Sequence, residues 1–253
     1  MGSRRRRRVS PHATTVTLTE HVNGARPWVR DTRFGGWLLT TDVWRRYVIH
    51  AALVELAQLF GGPAGSYATI LDVGCGAGKA LPLLDRFFKP SLLIGLDPDR
   101  EMLMRASHEG ARCRCQVNLR LECVPPLLLP DASVDMIFCH QAFHHLADPE
   151  SSAREFRRVL RPGGVLLFAE SCAPFIRSLR VRVLFRHPMH AQRTADEYLL
   201  LLRSTGFSFT EENVSTPYPW WSRLDFGLLE RLGRSVPITR QETVLNVVAF
   251  REG

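Results

Sequence analysis

Between Trp37 and Phe60 the apolar positions recur at three- and four-residue spacing, so that Val43, Tyr47, Val48, Ala51, Val54 and Leu59 can share one face. That period predicts an amphipathic helix, with Thr41 or Asp42 as its N-cap and Gly61-Gly62-Pro63 as its stop. Downstream the pattern changes. Short apolar runs bounded by turn residues, at Tyr67–Val73, Ser91–Asp97, Leu119–Val124, Val134–Cys139 and Val165–Glu170, read as buried strands. Helical stretches separate them: Lys79–Phe88, Asp99 to about Glu109, and a third that opens at Asp148-Pro149-Glu150 with a cap and a proline at its first position. Thr194-Ala195-Asp196-Glu197 reads as a capping box for a helix ending near Gly206. Phe207–Val214 and Thr243–Phe250 bring the strands to seven. Strands alternating with helices build a mostly parallel sheet with helices on both faces. The chain therefore divides into an arm (1–20), a helical extension or lid (21–62) and one α/β domain (63–253) with an insertion at about 215–241.

Composition adds constraints on partners. The 253 residues are 45% hydrophobic and 23% charged, ordinary values for a globular domain. Arg4–Arg8 supply five of the net +8 charges, which leaves +3 for the rest. The arm is accordingly expected to be disordered and solvated, and nucleic acid is not the expected partner. Its lack of acids resembles a transit peptide only superficially, since it has two serines and no apolar helical face. No apolar stretch approaches the roughly 20 residues of a membrane helix, and no apolar core follows the Arg run as in a secretory signal. Six cysteines in this length do not form a disulfide scaffold. The expectation is a cytoplasmic protein with reduced thiols and no membrane partner.

The chemistry begins at Ile70-Leu71-Asp72-Val73-Gly74-Cys75-Gly76-Ala77-Gly78-Lys79, where a strand runs into three alternate glycines and then a helix. Such a turn lets a ligand approach the backbone and presents free N–H groups. A Walker A loop is excluded, because Ala80 follows Lys79 and Val73 stands where its first glycine belongs. The dinucleotide fingerprint fits poorly, because Lys79 stands at its third glycine.

The remaining pattern, acidic-x-Gly-x-Gly-x-Gly, resembles motif I of the class I S-adenosylmethionine-dependent methyltransferases. Leu93-Ile94-Gly95-Leu96-Asp97 resembles their second strand with its ribose-binding acid. Leu129–Ile137 and Glu155–Gly164 resemble the approach to strand four and the helix and turn after it. The overall flavour is that of the ubiquinone/menaquinone C-methyltransferases and many natural-product methyltransferases. The resemblance implies a Rossmann-like fold and S-adenosyl-L-methionine as cofactor, with S-adenosyl-L-homocysteine as product. It implies that Gly74, Cys75, Gly76 and Gly78 line the methionine half, that Asp72 faces the ammonium, that Asp97 with Pro98 holds the ribose, and that Met102 covers the adenine. The acid that usually meets the adenine amino group is replaced by Cys123, beside Val124. Either Glu122 substitutes after a one-residue shift, or a backbone carbonyl near Cys123 and Val124 accepts instead.

Candidates for the transfer itself follow strand four, in Cys139-His140-Gln141-Ala142-Phe143-His144-His145. Histidine is the side chain whose ordinary pKa suits a base near neutrality, so His140, His144 and His145 are candidate catalytic residues. His-His-Leu at this place also recurs as an architectural feature of the family, and His140 and Gln141 fit as lining of the methyl-transfer site. Phe34 and Trp37 in the extension, and Trp220 and Trp221 in the insertion, are candidate substrate walls. Cys113, Cys115 and Cys123 lack the paired spacing of a zinc site, so no metal is expected. The expected activity is methyl transfer to an O, N or C atom of a small molecule. The alternatives are a macromolecular substrate gripped by the Arg tail, or a non-catalytic scaffold. Oligomeric state is not legible.

Overall fold

A computed structural model describes residues 15–20, 32–61, 67–187, 192–223, 226, 228–234 and 241–253. Arg4–Arg8, the Trp28–Asp31 part of the expected lid and the Gly62-Pro63 stop lie outside the described residues.

A short edge strand β1 (Val16–Glu20) comes first. Helix α1 (Arg33–Leu39) is capped by Thr32, whose hydroxyl accepts from Gly35 N. Thr41 then caps α2 (Asp42–Trp44), which runs through a π-wound stretch, Arg45–Ile49, into α3 (His50–Phe60). Gly61 ends that run at φ +57°, a left-handed stop suited to glycine. The repeating part follows as β2 (Thr69–Val73), α4 (Leu81–Phe88), β3 (Leu92–Asp97), α5 (Arg100–Gly110), β4 (Gln116–Leu121), β5 (Val134–His140), α6 (Pro149–Val159) and β6 (Leu160–Ser171). The chain closes with α7 (Ala173–Ile176), α8 (Leu179–Leu184), α9 (Ala195–Ser204), β7 (Phe207–Ser208), β8 (Val214–Ser215), α10 (Leu228–Arg231) and β9 (Val244–Arg251).

The strands form one sheet in the order β1-β4-β3-β2-β5-β6-β9-β7, with β8 also paired to β9. The strands from β1 to β6 are parallel to their neighbours, and β9 runs antiparallel to β6, β7 and β8. From β2 the chain winds outward through β3 and β4, then returns to place β5 on the other side of β2. The crevice at the carboxyl ends of β2 and β5 is thus the switch point, where ligands of open α/β sheets bind. Both faces are covered. Leu53 and Leu56 of α3, Leu81 and Leu84 of α4 and Leu103 of α5 are fully buried in one layer; Phe156 of α6 and Tyr198 and Leu202 of α9 are fully buried in the other. Each such side chain contributes on the order of 2 kcal/mol of burial.

The expected α/β architecture is present, but the sheet has nine strands rather than seven. Val16–Glu20, expected to belong to a disordered arm, pairs in parallel register with Val117–Leu121. Its Val and Thr side chains suit extended backbone, and β4 would otherwise be an open edge. The strand expected over Phe207–Val214 is broken into β7 and β8 by a single turn at Glu211–Asn213, which Thr210 and Asn213 cap reciprocally. The third strand of the repeat is shifted to Gln116–Leu121, because its alternation of polar Gln116, Asn118 and Arg120 with apolar Val117, Leu119 and Leu121 hides it from an apolar-run search.

Candidate active site

Strand β2 delivers the chain to the glycine turn. Gly74 has φ +69°, and a Cβ there would lie 2.4 Å from Ala142 Cβ, so the turn packs directly against the segment after β5. Gly76 also has positive φ (+51°), but a Cβ on it would meet nothing within 4 Å. The backbone therefore faces open space at that residue. Two carboxylates stand beside it. Asp97, at the end of β3, accepts from Gly76 N through Oδ2 at 2.9 Å and from Asp99 N through Oδ1 at 2.8 Å. Asp72 is 2% exposed, and its Oδ2 is buried with no hydrogen-bond partner. Burial, reinforced by the charge of Asp97, pushes its carboxyl up to about 8. Lys79 is turned aside: its Nζ lies 2.6 Å from Glu109 Oε1.

Next to this turn is a cavity of about 260 Å³. Trp44, Tyr47, Phe175, Trp220 and Trp221 supply aromatic walls, and Gln141, Ser171, His144, His145, His187 and Arg180 supply the polar ones. Gln141 sits at φ +52° and accepts from Ser171 Oγ at 2.5 Å. Arg180 Nε is buried without a partner while its guanidinium lies 4.5 Å from the centre of the Phe226 ring.

Glu170, fully buried at the end of β6, organises the loop that closes the cavity. Its Oε1 accepts from Ala142 N and Phe143 N, each at 2.8 Å, and its Oε2 lies 2.6 Å from His144 Nδ1. The sequence reading passed over this residue; the available signal was an acid directly following five apolar residues in a buried strand. Replacing Glu170 with Ala strands two amides and one imidazole in the interior. The expected cost is about 3–5 kcal/mol, or a melting temperature lower by roughly 10 °C for a chain of this size. Glu170→Gln, which keeps an acceptor, is expected to lose less. Thermal unfolding of the two variants checks the ordering.

Family comparison gives this geometry its context. Residues 71–168 match the methyltransferase-domain family model. A Streptomyces fradiae relative, an uncharacterized 37.1 kDa protein in transposon TN4556, is 37% identical over 134 residues, covering 53% of this chain and 36% of its own. A malonyl-[acyl-carrier protein] O-methyltransferase of Marinomonas is 25% identical over 181 residues, covering 69% and 66%. An S-adenosylmethionine-dependent methyltransferase of Mesorhizobium loti shares the fold with a TM-score of 0.58 at 21% identity, over 79% of this chain and 98% of its own. Residues 71–168 carry a methyltransferase domain, and the fold is the one seen in solved S-adenosylmethionine-dependent methyltransferases. The chain spans between about a third and two thirds of the length of these curated relatives.

The residues of this methyltransferase domain fit the family's cofactor. An orphaned buried carboxylate at Asp72 matches a cationic ligand, and the open side of Gly76 leaves room for one against the backbone. Asp97 offers a carboxylate already fixed by two amides. Pro98 follows it, and Met102 on α5 lies under α1, 3.5 Å from where a Gly36 Cβ would stand. Cys75 is buried, and its thiol is pushed well up by burial and by Asp72 and Asp97. Of the two options at the adenine end, the Glu122 carboxylate is committed elsewhere: it pairs with Arg120 Nε at 3.0 Å and accepts from Leu128 N at 2.6 Å. Cys123 is half-buried next to Asp97 and Glu122, and Val124 is buried.

Two of the three candidate histidines, His144 and His145, are brought together, with a fourth that the sequence did not single out. Their rings are 4.3 Å apart, and the His187 ring lies 4.9 Å from His144 and stacks on His145 at 4.7 Å. His140 is set apart, stacked on Phe138 and edge-on to Trp44. Burial, aided by His144, holds His140 and His187 down to about 3 and lowers His145 well below the ordinary imidazole range. These three rings are therefore neutral at pH 7 and weak proton acceptors. The ligand atoms of His144, His145 and His187 lie within 4.8 Å of one another. Trp220 and Trp221 line the cavity, whereas Phe34 and Trp37 do not: their rings meet at a tilt, 5.5 Å apart, and are 51% and 57% exposed.

Proposed function

We propose that this protein transfers a methyl group from S-adenosylmethionine to an O, N or C atom of a small acceptor with an apolar body. The observation that carries the reading is the aromatic-walled cavity at the carboxyl ends of β5 and β6, whose lining residue Gln141 adjoins the Ala142 that packs on the glycine turn. Its size suits one small molecule and not a nucleic-acid strand or a folded protein. The cofactor supplies an electrophilic methyl on a sulfonium. The chain's own part is largely positional. Asp97 and Asp72 hold the two polar ends of the cofactor, the Gln141–Ser171 pair lines the transfer site with His140 behind Trp44, and the aromatic walls orient the acceptor and exclude water. With His140, His145 and His187 neutral, an acceptor that is already nucleophilic at neutral pH is favoured. The O-methyltransferase named among the relatives supports transfer to oxygen. Six free cysteines, five of them buried, support a reducing, cytoplasmic setting.

The test is incorporation of methyl label by the full chain, offered a panel of aromatic and amphiphilic acids, alcohols and amines alongside RNA and protein extract. Label is expected in a small molecule, with the rate unchanged on deleting residues 1–10 and reduced at least tenfold in Trp221→Ala. Label found only in RNA or protein, and lost with the Arg tail, would overturn the reading.

A further inference from the structure

The apolar surface of this protein is concentrated around one opening. Among the described residues, fourteen large apolar side chains are exposed, and eight of them lie on α1, on α2 and its π-wound continuation, on α8 and in residues 220–226. These are the elements that wall the cavity. They are contiguous: Thr32 donates to Leu184 O across α1 and α8, a Gly35 Cβ would meet Leu184 O at 2.8 Å, and Tyr47 meets Trp220 edge-on at 6.4 Å. Helix α8 shows the arrangement most plainly. It turns Val181 inward at 5% exposure, yet presents Leu179 and Val183, one helical turn apart, at 76% and 67%. Single exposed leucines are ordinary, whereas a clustered apolar rim marks a contact surface.

Charge follows the same rim. The stretches 32–47, 177–187 and 220–226 hold eight arginines and two acids, a net +6, and 177–187 holds four arginines and no acid. With five more charges in Arg4–Arg8 and +8 for the whole chain, all remaining residues sum to −3. Part of this charge is engaged locally, Arg45 with Asp42 and Arg223 with Tyr218 O, and a second basic region is engaged more fully. In the groove beside α6, Arg158 pairs with Glu155 and Asp131, Arg157 donates to Gly206 O and Arg251 donates to three carbonyls, so its guanidinium groups are spent inside the molecule.

We propose that the cavity rim, centred on α8 and α1, docks on an anionic lipid surface. Exposed Trp, Phe and Leu interleaved with Arg is the composition that lies in a headgroup layer, apolar groups sinking in and guanidinium groups meeting phosphate. A second copy of the chain is disfavoured as occupant, because a two-fold contact would set one +6 face against another. The contact is peripheral: no helix among the described residues is long and apolar enough to cross a membrane. Tyr47, Trp220 and Phe226 line the cavity and are themselves half-exposed, so an amphiphilic acceptor could pass from the lipid layer into the cavity. That entry route rests on the proposed methyl transfer; the docking does not.

The experiment is co-sedimentation of the full chain with phosphatidylcholine vesicles, with and without 30% phosphatidylglycerol, for wild type and for the double variant Leu179→Asp/Val183→Asp. Binding to the anionic vesicles is expected, falling at least tenfold in the double variant and weakening with salt, while both proteins bind S-adenosylhomocysteine equally. Absence of wild-type binding overturns the proposal. So does equal binding by the double variant, which would assign adsorption to the Arg tail. A wild-type dimer in solution that the double variant dissolves would give the face to a second copy and overturn it as well. Vesicle binding needs no turnover, so failure of the methyltransferase reading would leave this result readable.

Discussion

Calorimetric titration of Asp97→Ala with S-adenosylhomocysteine is expected to show affinity at least about 100-fold weaker than wild type, a loss of roughly 3 kcal/mol. Two effects add. The variant removes the carboxylate that would accept from vicinal ribose hydroxyls, and charge-assisted hydrogen bonds are worth about 1.5–3 kcal/mol. It also releases Gly76 N and Asp99 N, both of which Asp97 holds at under 3 Å, so the open side of the glycine turn loses its fixed shape. Asp97→Asn loses the charge and keeps one acceptor oxygen, enough for only one of the two backbone amides, so a fall of about tenfold, between wild type and Asp97→Ala, is expected. An Asp97→Ala affinity within threefold of wild type would show that the turn binds the cofactor without this acid.

Asp72→Asn is expected to make the protein more stable and a poorer binder. In the folded chain burial raises the Asp72 carboxyl from 3.8 to about 8. A folded pKa above the unfolded one means stability is fully present below about pH 4 and is lost as pH rises towards 8. The whole loss is on the order of 5 kcal/mol, at about 1.4 kcal/mol per unit. Asparagine cannot ionise, so the variant should melt higher than wild type at pH 8, the gap narrowing as pH falls to 5. Binding should move the other way. A cationic ligand brings Asp72 into its charged form, so wild-type affinity should strengthen by up to about tenfold per unit from pH 6 to 7, with proton release. The variant should bind weakly at every pH with no such slope. A wild-type affinity that is flat over this range would remove Asp72 from contact with the ammonium.

Much of this was legible in the chain. The glycine turn, Asp97 at the end of a strand, and the helix caps at Thr41, Asp99, Asp148 and Thr194 are local signals, and each is set by neighbours within a few residues. What escaped depends on residues distant in sequence. Val16–Glu20 forms a strand only because β4 offers it an edge about a hundred residues away. Glu170 looks like the end of a strand until Ala142, Phe143 and His144 are placed around it. His187 joins the other histidines from beyond α8, over forty residues downstream. Phe34 and Trp37 read well as a lid on composition, but a helical period does not tell which side of α1 meets the cavity; Leu38 and Leu39 do.

The direction of β1 has a practical consequence. Because it runs parallel to β4, Val16 sits beside Val117 near the amino end of the sheet, and Glu20 sits beside Leu121 at the carboxyl end. Thr15 therefore leads into the sheet from its rear, on the side away from the glycine turn and the aromatic cavity. Immobilising the protein through an N-terminal tag should leave the cavity facing solution, which suits it to surface-based screening of acceptors and vesicles.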